Sequence, residues 1–161
     1  KTVDKYIESK NVSIPTEVNY IHGQLKSEAN PIIFGFGDEY NKSYLEFEEL
    51  RNKELLKHIK SFGYFKSSNY HNLIRFLETD NFQVSIFGHS LGLSDRTMLK
   101  QIFEHEKCKS VKIYYHKNQG TNDFTDKTYD ISSHFADKGL MRKKIVPFDK
   151  SFPMPQPGFV V

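Results

Sequence analysis

The chain has 161 residues and a mass of 18.9 kDa, a length that one hydrophobic core serves and that excludes a second full domain. Hydrophobic residues at 37 %, with 14 Phe and 9 Tyr, exclude intrinsic disorder despite a mean hydropathy of -0.61. The net charge of +3 is too weak a field to argue for nucleic acid, so such a partner is unmotivated.

Cys108 is the single cysteine, so no internal disulfide and no thiolate metal cluster can form, and a reducing compartment fits. No apolar run approaches the roughly 18 residues that would span a bilayer. The N-terminus also lacks the apolar segment of a secretory signal, and the chain reads as cytoplasmic with no membrane contact.

Taken in chain order, Lys1–Ser9 looks like the end of a helix, with Val3, Tyr6 and Ile7 at helical spacing. Pro15 breaks it, and a β-branched and aromatic run predicts a strand over 17–22 that stops at His22-Gly23. A second strand is expected at 31–35, ending in Gly35-Phe36-Gly37-Asp38-Glu39, where two glycines beside acids suggest a loop whose backbone approaches something closely. The Glu-, Lys- and Leu-rich segment from Asn41 to Phe62 reads as helix with a break near Asn52.

Ser67 or Ser68 caps the next helix, whose stripe of Tyr70, Leu73, Ile74 and Leu77 shares one face. A strand near 82–88 runs into Gly88-His89-Ser90-Leu91-Gly92. Ser94 or Asp95 caps a helix with Met98, Leu99, Ile102 and Phe103 inward, and Val111, Ile113 and Tyr115 predict an edge or near-edge strand over 110–116. A polar loop from Asn118 to Asp126 precedes a last helix, Thr128–Lys144, with a solvated basic end. Pro147, Pro153, Pro155 and Pro157 then make 147–161 an extended or disordered tail. Strands separated by amphipathic helices predict parallel βα units and an α/β fold.

Gly88-His89-Ser90-Leu91-Gly92 satisfies the nucleophile-elbow pattern of serine hydrolases, with Ser90 as nucleophile and His22 or His134 as base. Against it, the capping signals lie several residues late, and few strands precede the motif. Alternatively, the two glycines merely shape a βα loop. In a third reading the loop lies at the carboxyl end of a parallel strand, where backbone N–H groups and the Ser90 hydroxyl face a phosphate or ribose.

Parallel strands would bring all three loops to one sheet edge, so one cleft would contain His22, Asp38, Glu39, His89, Ser90 and Asp95. His22 is either satisfied by a backbone carbonyl or a proton-transfer group. Asp38 is either catalytic or a solvated or capping residue, and Asp95 reads as a helix cap within reach of the cleft. His105, Cys108 and His116 lack metal-ligand spacing, and no metal is expected.

Val18-Asn19-Tyr20-Ile21-His22-Gly23, Pro31 to Glu39, Asn69-Tyr70-His71-Asn72-Leu73 and Phe87 to Asp95 resemble, in that order, the AbiH family of bacterial abortive-infection proteins. The resemblance covers most of residues 1–146, with 147–161 outside it, and implies a cytoplasmic role in phage defence. The three loop blocks are also similar to sirtuin-like domains, which implies that NAD or a related nucleotide is bound or cleaved. On that similarity His22 is the general base and Gly88, Ser90 and Leu91 lie at the nucleotide, while the shared cleft of the three loops adds Asp38 to catalysis and Gly35, Gly37, His89 and Asp95 to the nucleotide site.

His89 stands where sirtuins carry Thr, and the cysteines of their structural zinc are missing, so protein deacylation does not carry over. Both families open with a glycine-rich strand-to-helix loop, and its absence here makes the chain look like the C-terminal part of a longer protein. The fold expected is therefore a Rossmann-like α/β structure with a mainly parallel sheet, incomplete at its N-terminus. A non-catalytic module that binds a protein partner through exposed aromatics or an open sheet edge is the alternative.

Overall fold

Alternation of apolar and polar residues builds a parallel pair of strands, β1 (Phe82–Phe87) and β2 (Cys108–Tyr114), in register with Val84 opposite Val111 and Ile86 opposite Ile113. The structure, a computed structural model, describes residues 15–155. The helix expected at Lys1–Ser9 lies outside them. Helices α1 (Lys42–Glu49), α2 (Lys53–Leu56), α3 (Lys60–Gly63) and α4 (Asn69–Leu77) precede β1. Helix α5 (Arg96–Glu104) crosses from β1 to β2, while α6 (Phe124–Ser132) and α7 (Lys138–Lys144) follow.

Val111, Ile113 and Ile131 are fully buried. With Ile86, Leu99 and Phe103 they form a core between the strands, α5 and the end of α6. The stripe on α5 falls as its spacing requires, with Met98, Leu99 and Phe103 inward and Ile102 packed beside them.

The molecule is thus mixed α/β, but its parallel sheet has two strands among the described residues. A complete doubly wound sheet is not seen among the described residues. Neither 17–22 nor 31–35 is a strand, and the one bridge nearby, parallel between Phe36 and Ile59, falls just past the second. Backbone groups there find other partners: Ile33 N–H donates to His22 O at 3.0 Å, and Asn69 Nδ2 donates to Tyr20 O at 2.8 Å. Asn19 Nδ2 in turn donates to Asn69 O at 2.8 Å, so side-chain amides do the work of a ladder.

The segment expected to be helical from Asn41 to Phe62 is cut into α1, α2 and α3. Asn52 caps α2 by accepting from Glu54 N at 2.9 Å, and Ile59 leaves helical geometry to bridge Phe36. The last expected helix is likewise split. His134 and Phe135 turn into the core between α6 and α7, and Asp137 restarts the chain as the cap of α7.

Strand β2 lies at the edge or near it, as its alternation predicts, with only isolated parallel bridges beyond it among the described residues. The chain after α7 returns along its far side, where Val146 N–H donates to Val111 O at 2.9 Å and Met154 N–H donates to Tyr115 O at 2.8 Å. A short antiparallel pair, β3 (Lys117–Asn118) with β4 (Thr121–Asn122), closes the loop before α6. Lys144 is buried rather than solvated. Its ammonium donates to Phe103 O at 2.9 Å and His105 O at 2.7 Å, satisfying carbonyls at the end of α5. No helix among the described residues is long and apolar enough to cross a membrane.

Candidate functional site

At the carboxyl end of β1 the chain turns through Gly88 at φ +63° and Leu91 at φ +59°. Leucine resists that conformation, and packing holds it there: the Leu91 side chain is 2 % exposed and belongs to the core. Two histidines clamp its backbone. Leu91 N–H donates to His89 Nδ1 at 2.9 Å, and His134 Nε2 meets Leu91 O at 2.8 Å.

The 35–39 loop reaches this turn because its glycines leave no Cβ in the way. A Cβ on Gly37 would stand 2.3 Å from Ser94 O, and one on Gly35 2.2 Å from His58 O. The expected convergence of the three loops is therefore found, without the expected strands behind two of them.

Asp95 lies at their meeting point. It occupies the position before α5 but makes no side-chain cap bond, because its carboxylate turns to other partners. Lys60 Nζ donates to Oδ1, His22 Nε2 lies 3.2 Å from Oδ1, and His89 Nε2 lies 3.4 Å from Oδ2. Burial works against the Asp95 charge. Hydrogen bonds from His22, His89 and Lys60, with the Lys60 charge, outweigh it and hold the carboxyl far below the usual carboxylate range.

These contacts settle where protons sit. His89 Nδ1 accepts from Leu91, so its proton is on Nε2 toward Asp95, and both ring nitrogens are spent within the loop. His22 turns Nε2 to Asp95 and, at 3.3 Å, to the Tyr64 hydroxyl. Its Nδ1 has no partner among the described residues, on a side chain that is 36 % exposed. Burial, with the Asp95 charge behind it, pushes the Tyr64 phenol well above its ordinary value and keeps it protonated.

Asp38 is 1 % exposed. It accepts from Tyr40 N at 3.0 Å and pairs with Arg96 Nη1 at 3.3 Å, while Arg96 Nε donates to Ser133 O. The aspartate thus joins the 35–39 loop to α5 and, through Arg96, to the end of α6, with its carboxylate buried. Ser90 is exposed, and among the described residues no histidine hydrogen-bonds its hydroxyl. Among the described residues the elbow motif therefore shows no base hydrogen-bonded to its serine.

Sequence reasoning missed Lys60, Tyr64, Arg96 and His134 as members of this arrangement. Lys60 and Arg96 lie in segments whose periodicity predicts only helix. His134 was noticed only as a possible base. Nothing in local periodicity marks a lysine that ends 7 % exposed beside a carboxylate.

Two hollows adjoin the cluster. A crevice of about 230 Å³ lies at the carboxyl ends of β1 and β2 among Gly88, His89, His116, Asp123 and Lys127. A larger cavity of about 520 Å³ opens on the other side of Tyr64, between α3, α4 and α5. Among the described residues no group of three or more His, Cys, Asp or Glu side chains is placed to hold a metal ion.

No match is found among curated proteins or among solved structures. Residues 2–117 match the family model described as Bacteriophage abortive infection AbiH, a stretch that contains His22, Asp38, Lys60, Tyr64, His89 and Asp95. The chain that builds this buried carboxylate and its two imidazoles belongs to the AbiH family of bacteriophage abortive infection.

Proposed function

We propose that this chain serves phage defence by binding and cleaving NAD or a related nucleotide at the His22–Asp95 cluster. The observation that carries the reading is the pairing of a half-exposed imidazole with a buried carboxylate, at the end of a parallel strand where three loops meet. Asp95 holds the His22 proton on Nε2, which leaves the Nδ1 lone pair as base and stabilises the imidazolium that forms.

In hydrolysis of NAD, water attacks C1′ of the nicotinamide-bearing ribose as the bond to the pyridinium nitrogen breaks. Nicotinamide leaves neutral. The proton lost by water passes to His22 Nδ1 and then to solvent. Asp38 acts as a positioning residue through Arg96, and Gly35 and Gly37 let the loops close on one another. Gly88 and Leu91 set the turn, and His89 braces it against Asp95. Ser90 offers an exposed hydroxyl to phosphate.

The test is NAD consumption by the full-length protein, assayed alone and in cells with and without phage. His22→Ala is expected to lower turnover by about 100-fold or more, the scale of losing a general base, with its unfolding midpoint little changed. Undiminished turnover in a folded His22→Ala protein sinks the proposal.

A further inference from the structure

We infer that the 520 Å³ cavity beside Tyr64 is the seat of an oxidised, positively charged pyridinium riboside, so that this protein takes the NAD+ form of the dinucleotide and discriminates against NADH. The inference rests on the nucleotide reading above for its ligand class, but not on the reaction. The volume falls in the range of sites for small organic ligands, whereas the 230 Å³ crevice at the strand ends is below it.

The walls say what fits. Tyr64, Tyr70 and Phe65 supply aromatic surface, with Tyr64 and Tyr70 stacked at 4.7 Å between ring centroids. No Lys or Arg lines the cavity, and Glu39 does. A phosphate is therefore unwelcome inside, and a cation is favoured by both the carboxylate and the ring faces.

Three polar groups on these walls are unspent. Thr97 Oγ1 accepts from the Glu39 backbone N–H at 3.2 Å and fixes the residue, yet its carboxylate has no hydrogen-bond or ion-pair partner among the described residues. The Tyr70 hydroxyl donates to Gln101 Oε1, and the Gln101 NH2 group has no partner among the described residues. The buried Ser61 hydroxyl has no partner among the described residues. Together they present one anionic acceptor, one amide donor and one hydroxyl, the complement of a ribose diol and a carboxamide on a flat cationic ring.

Tyr64 links the cavity to the cluster. Its ring forms part of the cavity wall while its hydroxyl lies 3.3 Å from His22 Nε2, so one phenol ring separates the cavity from the imidazole.

The test is equilibrium binding by calorimetry of nicotinamide riboside, its uncharged dihydro form and adenosine, to the wild-type protein and to His22→Ala, which prevents consumption. Wild type is expected to favour the cationic riboside over the dihydro form by about tenfold or more, and Glu39→Gln to lose most of that preference. Phe65 is 86 % exposed, so Phe65→Ala leaves the core intact and is expected to weaken the cationic riboside several-fold. Equal affinity for the two redox forms, or a preference untouched by Glu39→Gln, overturns the inference. So does tighter binding of adenosine that depends on Glu39. If NAD is consumed through His22 while the cavity variants bind normally, the reaction stands and the cavity assignment falls. If the riboside binds as described but NAD is not consumed, the cavity stands and the reaction falls.

Discussion

Asp95 shows how much a single side chain depends on its partners. The residue is 8 % exposed and Lys60 7 %, and the two are joined by a direct hydrogen bond. Such a pair contributes little when compared with apolar residues of the same shape, but removing one partner strands the other charge in the interior. Asp95→Ala is therefore expected to cost about 3–5 kcal/mol in denaturant unfolding. Adding Lys60→Met should recover a large part of it. An Asp95→Ala protein as stable as wild type would show that the Lys60 ammonium escapes to solvent. Asp38 has a similar dependence on Arg96, which explains why its place beside two glycines in sequence was a poor guide to its role.

At the scale of elements, the turn after β1 is held by the segment between α6 and α7. His134 is fully buried, its Nε2 bonds Leu91 O, and its Nδ1 has no partner among the described residues. The bond to a carbonyl needs a proton on Nε2, so the ring is neutral with an empty acceptor at Nδ1, and adding a proton there buries a charge. Burial accordingly lowers the His134 pKa below its ordinary 6.5. Because the folded value lies below the unfolded one, the unfolded chain binds the proton first as pH falls. The stabilisation is complete above pH 6.5 and declines below it. Denaturation midpoints measured from pH 7.5 down to about 5 should fall for wild type, and this part of the slope should vanish in His134→Gln. A slope unchanged by that substitution would mean that His134 titrates normally.

At the scale of the whole molecule, the proline-containing return after α7 completes the sheet. It covers the far side of β2 through Val146, Phe152 and Met154, and Phe148 joins Tyr115 and Phe124 in an aromatic cluster with centroids 5.2 Å from it. Prolines suit that place, since an edge segment needs few N–H donors. Truncation after Val146 is expected to lower unfolding free energy by about 2–4 kcal/mol, from lost hydrogen bonds and half-buried aromatic surface. An unchanged midpoint would show that the return is dispensable. The other edge of the pair, along β1, carries no strand among the described residues.

By itself the sequence determined α4, α5, β1 and β2, because each is a periodic pattern confined to ten residues or fewer and its apolar stripe has one place to go. It also marked the loops at Gly23, Gly37 and Gly88 as places where the backbone comes close or turns left-handed, since glycines beside polar residues after apolar runs have a steric meaning that holds in any fold. Only the tertiary structure decided that 17–22 and 31–35 find side-chain amides and loop carbonyls instead of a ladder, that the tail covers β2, and that Asp95 rather than Asp38 gathers the histidines. A strand exists only where another strand meets it, and a carboxylate's role is set by the charges folded against it. Both depend on residues tens of positions away, to which local periodicity is blind.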